Sequence, residues 1–136
     1  MSKDWAADIN DMHAHYGFHD KVADLNKQKL LEMMEFRLRF IQEEFAETCS
    51  AFYSGDAEEV VDGLIDLCVV AIGTLDLYGV NAHEAWDRVH KCNMAKQVGI
   101  KASRPNPLGL PDLIKPEGWV GPVHDDNTGT LKETLE

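Results

Sequence analysis

Two acidic clusters, Glu43-Glu44-Phe45-Ala46-Glu47 and Glu59-Val60-Val61-Asp62 with Asp66 one turn further on, stand on either side of Ser54-Gly55-Asp56. Each lies in a strongly helical, largely apolar stretch, where carboxylates are costly unless something cationic holds them. Carboxylate oxygens with no His or Cys nearby suit a hard divalent ion, Mg2+ or Mn2+, better than zinc. One carboxylate pair can hold one ion, so this many suggests two or more. Clustered hard cations are especially suited to in-line displacement at phosphorus, where they neutralise phosphate oxygens and lower the pKa of an attacking water. Glu43, Glu58 and Glu59 also fit solvated helix faces near a turn, as most surface Glu do. Asp62 and Asp66 fit that reading poorly, because Val60, Val61, Leu64, Ile65, Leu67 and Cys68 surround them.

The elements that must position these groups are helices. From about Asn26 to Tyr53 there is no Pro or Gly and strong helix formers dominate. This helix carries two apolar stripes. Met34, Leu38, Ile41, Phe45, Thr48 and Phe52 make one; Met33, Phe36, Phe40, Glu44 and Glu47 make the other. A helix buried on two faces is central to its fold or shared with another subunit. The second stripe runs from three large apolar residues straight into Glu44 and Glu47, which lie about 60° apart on the helix, with Glu43 on their flank. Ser54-Gly55-Asp56 then makes a tight turn, which implies an antiparallel hairpin. The next helix, about Ala57 to Tyr78 with Gly79 as its cap, is apolar nearly all round, as an innermost helix would be, apart from Glu59, Asp62, Asp66 and Asp76. Folding the hairpin about Gly55 brings Asp66 level with Glu44, and Asp62 level with Glu47 to within about a residue.

A further helix starts at Asn81, with Glu84 three residues on as a capping box, and runs to about Gln97. Its inward stripe is Ala82, Ala85, Trp86 and Val89, continued by Asn93 and Lys96, an amide and an ammonium suited to phosphate oxygens. A lysine at a helix terminus also snorkels to solvent, and geometry alone does not separate the two readings. Before the long helix, residues 4 to 16 form a short amphipathic helix through Trp5, Ile9 and Met12, followed by a polar link through His19, Asp20 and Asp24. His13, His15 and His19 invite a zinc reading. The first two fall on different helix faces, however, and no Cys or fourth His completes a site, so they read as surface histidines near a helix end. All five prolines and half the glycines lie beyond residue 98. This is a loop-rich tail, extended through Arg104-Pro105-Asn106-Pro107, whose last dozen residues are expected to be mobile. Trp119 there can cover the site, stack on a base, or pack on the bundle.

Composition excludes other functions. The 136 residues carry 24 acidic side chains against 13 Lys plus Arg, a formal charge of -11. That argues against nucleic acid or an anionic membrane as partner. The most apolar run, Gly63 to Val80, is interrupted by Asp66 and Asp76 and reads as a buried helix rather than a membrane span. No apolar leader stands at the N-terminus. Cys49, Cys68 and Cys92 show no ligand spacing and read as reduced, buried thiols of a cytosolic protein.

Glu43-Glu44-x-x-Glu47 followed by Glu59-x-x-Asp62 resembles the EExxE and ExxD signature of the all-α nucleoside triphosphate pyrophosphohydrolases, the group containing MazG, dimeric dUTPases and phosphoribosyl-ATP pyrophosphohydrolase. The chain is most similar to small MazG-like proteins, many of them phage-encoded. The resemblance extends through Asp62-Gly63-Leu64-Ile65-Asp66, Ala71-Ile72-Gly73-Thr74, Val89 to Lys96, and Lys115-Pro116-Glu117-Gly118-Trp119, so it covers roughly residues 18 to 122. It implies hydrolysis of a nucleoside triphosphate between the α and β phosphates with Mg2+ or Mn2+. By that match Glu44, Glu47, Glu59 and Asp62 are metal ligands, Glu43 supports them or orients the water, and Asn93 and Lys96 bind phosphate. The gap between the two motifs is short, and Asp66 can share or take over a ligand role. The expectation is one all-α, four-helix-bundle-like domain with its core over about residues 18 to 98 and a tail over 99 to 136. Such a protein acts in the cytoplasm, the host's if phage-encoded, as a homodimer or homotetramer. The competing readings are a hydrolase of phosphoribosyl-ATP or another nucleotide derivative, and a non-catalytic helical protein whose acidic crevice binds cations or a basic partner.

Overall fold

A computed structural model describes residues 1–104 and 106–136, which form two compact units: residues 1–82 with 127–136, and residues 83–126. Among the described residues the fold is all-α apart from one pair of three-residue strands.

The first unit is built on a hairpin of α3 (Lys27–Ser54) and α4 (Ala57–Leu77). Local chemistry fixes both ends of the turn. The Asn26 side chain accepts the Lys29 N–H and opens α3, Gly55 at φ 77° closes it, and Asp56 accepts the Glu59 N–H to open α4. The register is set by side chains that reach across. Thr48 lies against Gly63, the Arg37 Nε–H donates to Thr74 Oγ1 at 3.0 Å, and the Tyr78 hydroxyl donates to the Leu30 carbonyl at 2.5 Å. With Thr48 opposite Gly63 and Arg37 opposite Thr74, Glu44 comes level with Asp66 and Leu67, as the turn position predicted.

Two glycines let α4 come this close. A Cβ on Gly63 would overlap the Thr48 hydroxyl, and one on Gly73 would stand 2.7 Å from Arg37 Nη2 and 3.2 Å from His13 Cε1. Gly63→Ala is therefore expected to cost about 1–3 kcal/mol through overpacking. A urea melt checks this, and an unchanged midpoint would show that Thr48 moves aside freely.

α1 (Trp5–His15) and α2 (Phe18–Ala23) pack on α4, and α6 (Leu131–Leu135) packs on α3. Two expectations are corrected here. The polar link through His19 and Asp20 is helix α2, and the last dozen residues are docked, with the Thr130 N–H donating to the Tyr78 carbonyl and Thr134 buried. α4 is also less enclosed than its composition suggests, because Val61, Leu64 and Ile65 are exposed. Of the two α3 stripes, Leu38, Phe45 and Phe52 are exposed and so is Phe36; the face turned to α4 carries Arg37, Thr48 and Ala51.

The second unit holds α5 (Ala82–Met94) from its second residue on, β1 (Gln97–Gly99) and β2 (Asp112–Ile114). The helix ends before Gln97, which instead pairs with Ile114 at the head of the antiparallel ladder. No described residue of α5 is buried, and Trp86, expected to face inward, is exposed. The extended reading at Pro105 lies outside the described residues. Among the described residues no helix is long and apolar enough to cross a membrane.

Candidate functional site

The hairpin gathers carboxylates at Glu44. Its side chain is half-buried, and its Oε2 is enclosed without a hydrogen-bond partner. The Thr48 hydroxyl does not supply one, because it donates back to the Glu44 backbone carbonyl at 2.7 Å. Burial, then the negative charges of Glu47, Asp66, Glu43 and Asp62, push the Glu44 carboxyl above its usual value. So the structure brings Glu43, Glu44, Glu47, Asp62 and Asp66 into one electrostatic neighbourhood. Glu59 is exposed, one turn nearer the hairpin bend than Asp62.

An orphaned, desolvated carboxylate oxygen among like charges fits a divalent cation, and the all-oxygen donor set suits a hard one. No three of the crevice carboxylates, however, place oxygens all within 4.8 Å of one another. Among the described residues, only His13, His19 and Asp76 place three potential ligand atoms all within 4.8 Å of one another. An ion shared by three crevice carboxylates therefore requires side-chain movement.

Without an ion, Glu44 makes stability depend on pH in a defined direction. The folded state binds the Glu44 proton more tightly than the unfolded chain does, so stability is lost as pH rises from 4.5, the ordinary Glu value, through the raised one. Wild type is expected to lose melting temperature relative to Glu44→Gln as pH rises over that range, and millimolar Mg2+ should cancel the loss. Parallel melting profiles for the two proteins would remove Glu44 from the strained position.

The remaining predicted residues lie in the second unit. Asn93 is exposed and Lys96 half-buried, with Lys96 Nζ 5.4 Å from the centre of the Trp119 ring. Trp119 packs on α5 through its Nε1–H, which donates to the Cys92 carbonyl at 2.8 Å. Lys115 Nζ lies 5.1 Å from the same ring, a second cation, to which the sequence assigned no role beyond its place in the Lys115 to Trp119 motif. Beside it runs an open cleft of about 670 Å³ lined by residues 116–123 and by Arg88, Lys91, Cys92 and Ala95 of α5. Arg88 there is paired with Glu84 and Asp126.

The sequence reading also missed the polar cluster at the other end of α4. His13, expected on the surface, is 1 % exposed. Its Nδ1 lies 2.7 Å from Asp76 Oδ2, His19 Nε2 lies 2.7 Å from the same oxygen, and Asn10 Nδ2 donates to Asp76 Oδ1 at 2.8 Å. Burial raises the Asp76 pKa, but the hydrogen bonds from Asn10, His13 and His19 outweigh it and hold the carboxyl below its usual range. The signal was present: a carboxylate in an otherwise apolar helix needs partners, and the nearby histidines supply them.

The sequence profile of the phosphoribosyl-ATP pyrophosphohydrolase family matches residues 18–93, more than half of the chain. The matched segment spans every crevice carboxylate and ends at Asn93, leaving Lys96 and Trp119 beyond it. No curated protein matches the chain.

Proposed function

The chain belongs to the phosphoribosyl-ATP pyrophosphohydrolase family, within the MazG-like all-α nucleoside triphosphate pyrophosphohydrolases, and from that membership we propose a metal-dependent enzyme that cleaves a (d)NTP to (d)NMP and pyrophosphate. The observation that carries the proposal is the enclosed, unpartnered Glu44 Oε2 with four further carboxylates acting on it.

In this reading Glu44, Glu47, Glu59, Asp62 and Asp66 hold Mg2+ or Mn2+, two or more ions per site. When bound, such ions neutralise phosphate oxygens and acidify the attacking water. Glu43, exposed on the flank of Glu44, orients that water by accepting a hydrogen bond from it. The water oxygen adds to the α-phosphorus, the α–β bridging oxygen departs with pyrophosphate, and the water proton passes to solvent. Glu44 and Glu47 keep the reacting end of the site anionic and cation-loving. Asn93 and Lys96 bind phosphate oxygens through amide N–H and ammonium, and Trp119 stacks on the nucleobase.

Phosphoribosyl-ATP is the second substrate reading, favoured by the family's own description. Incubation with each ribo- and deoxyribonucleoside triphosphate and with phosphoribosyl-ATP, in Mg2+ or Mn2+, followed by product separation, decides between them. Pyrophosphate with a monophosphate from a triphosphate supports the first reading, and turnover of phosphoribosyl-ATP alone supports the second. No turnover of any substrate would leave a cation-binding protein. The exposed Leu38, Phe45 and Phe52 of α3 and Val61, Leu64 and Ile65 of α4 support assembly as a homodimer or homotetramer.

A further inference from the structure

We propose that His13, His19 and Asp76 form a second metal site, selective for a borderline transition ion such as Zn2+ and separate from the acidic crevice. Two imidazole nitrogens and one carboxylate oxygen are the donor set that Zn2+, Co2+ and Ni2+ prefer and that Mg2+ does not. His13 Nδ1, His19 Nε2 and an Asp76 carboxylate oxygen converge within 4.8 Å of one another, the only such trio among the described residues.

The surroundings are those of an oriented ligand set. Asn10 holds the other Asp76 oxygen at 2.8 Å, as a hydrogen-bonded group behind a ligating carboxylate does. The His13 ring is enclosed and lies 5.1 Å, centre to centre, from the Phe18 ring. The His13 and Asp76 side chains are 2 % and 13 % exposed, while that of His19 is 37 % exposed. Two ligands are thus fixed and the third sits at the solvent edge, where a water can complete a tetrahedron.

The 2.7 Å contacts to Asp76 Oδ2 are hydrogen-bond distances. Bonds of about 2.0–2.1 Å to a tetrahedral ion hold ligand atoms about 3.3 Å apart, so Asp76 Oδ2 and each nitrogen must part by about half an ångström to share one. His19, on the six-residue α2, is the group placed to do so.

Family membership does not assign this site, since His13 precedes the matched residues 18–93, and the proposal does not depend on the hydrolase reading. Asp66 and Asp76 are ten residues apart on α4, or about 15 Å at the helical rise, so the two sites do not share an ion. The ion would tie α1 and α2 to α4.

The test uses the full chain, stripped with chelator and kept in millimolar Mg2+ so that hard-cation sites are filled. One equivalent of Zn2+ should raise the melting temperature, chelator should reverse the rise, and Co2+ should give visible absorption saturating at one ion per chain. His19→Ala should weaken Zn2+ binding at least tenfold, whereas His15→Ala, which removes an imidazole outside the trio, should bind as wild type does. In wild type itself, Zn2+ should shift the imidazole NMR signals of His13 and His19 and leave those of His83, His90 and His124 in place, a readout that no variant's folding can obscure. No Zn2+ binding at micromolar concentration, unchanged affinity in a folded His19→Ala, or shifts confined to other histidines would overturn the site and leave a hydrogen-bonded clamp.

Discussion

Asp62→Asn is expected to lose more than about a hundredfold in kcat/KM and yet, without divalent ions, to melt at a higher temperature than wild type. Removing even an outer-shell partner of a metal typically costs about 10–100-fold, so removing a ligand should cost more. The stability gain follows from the same charge. Asp62 is one of the four carboxylates that push the Glu44 proton affinity up, and an amide in its place relieves that repulsion. Millimolar Mg2+ should then stabilise wild type more than the variant, because in the proposed reading wild type alone keeps the full ligand set. This opposed pair of effects separates a functional carboxylate from a structural one. Retained turnover would take Asp62 out of the ligand set, and loss of both activity and melting temperature would make it a structural residue.

The second large effect is expected at Arg37. Its side chain is buried between α3 and α4, and its hydrogen bonds go to the Thr74 hydroxyl and the Val70 carbonyl rather than to a carboxylate. Burial lowers its pKa, with Tyr78 opposing weakly. The Thr74 hydroxyl also donates to the Val70 carbonyl at 2.7 Å, so that acceptor stays satisfied when the guanidinium is removed. The cost of truncation is then chiefly the space left behind. Arg37→Ala should destabilise by about 2–5 kcal/mol, in the range of large-to-small core changes. Arg37→Met fills much of the volume with no charge to desolvate and should cost less than about 1.5 kcal/mol. Urea denaturation of the three proteins at neutral pH measures both. Equal losses for Ala and Met would show that the guanidinium hydrogen bonds, and not the volume, hold the helices together.

The hairpin was legible because its signals are local. An uninterrupted run of helix formers, one Gly-Asp turn and the count of residues back from Gly55 suffice to place Asp66 beside Glu44. Motif spacing groups Glu59 with the rest, and the helix register sets it opposite Phe52, nearer the bend. Arg37 was invisible as a core residue because hydrophobic patterning counts a charge as surface, and the Gly73 that makes room for it lies on the other helix. His13 and His19 were dismissed for want of a completing ligand, which comes from Asp76, 63 and 57 positions away respectively. The ladder of β1 and β2 escaped notice because three residues are too few to show an alternating pattern.

Gly63 and Gly73, which let α4 lie close to its neighbours, also weaken α4 by itself. Each glycine costs a helix about 1 kcal/mol relative to alanine, and α4 carries both along one side. Separated from α3, this segment would be a poor helix in spite of its apolar content; docking is what holds it in shape. Folding of the hairpin should therefore be concerted, with α4 gaining structure as it meets α3 and not before. The carboxylates of the two helices then come together in that same step, so the chain meets their mutual repulsion in the folding barrier and not only in the finished protein.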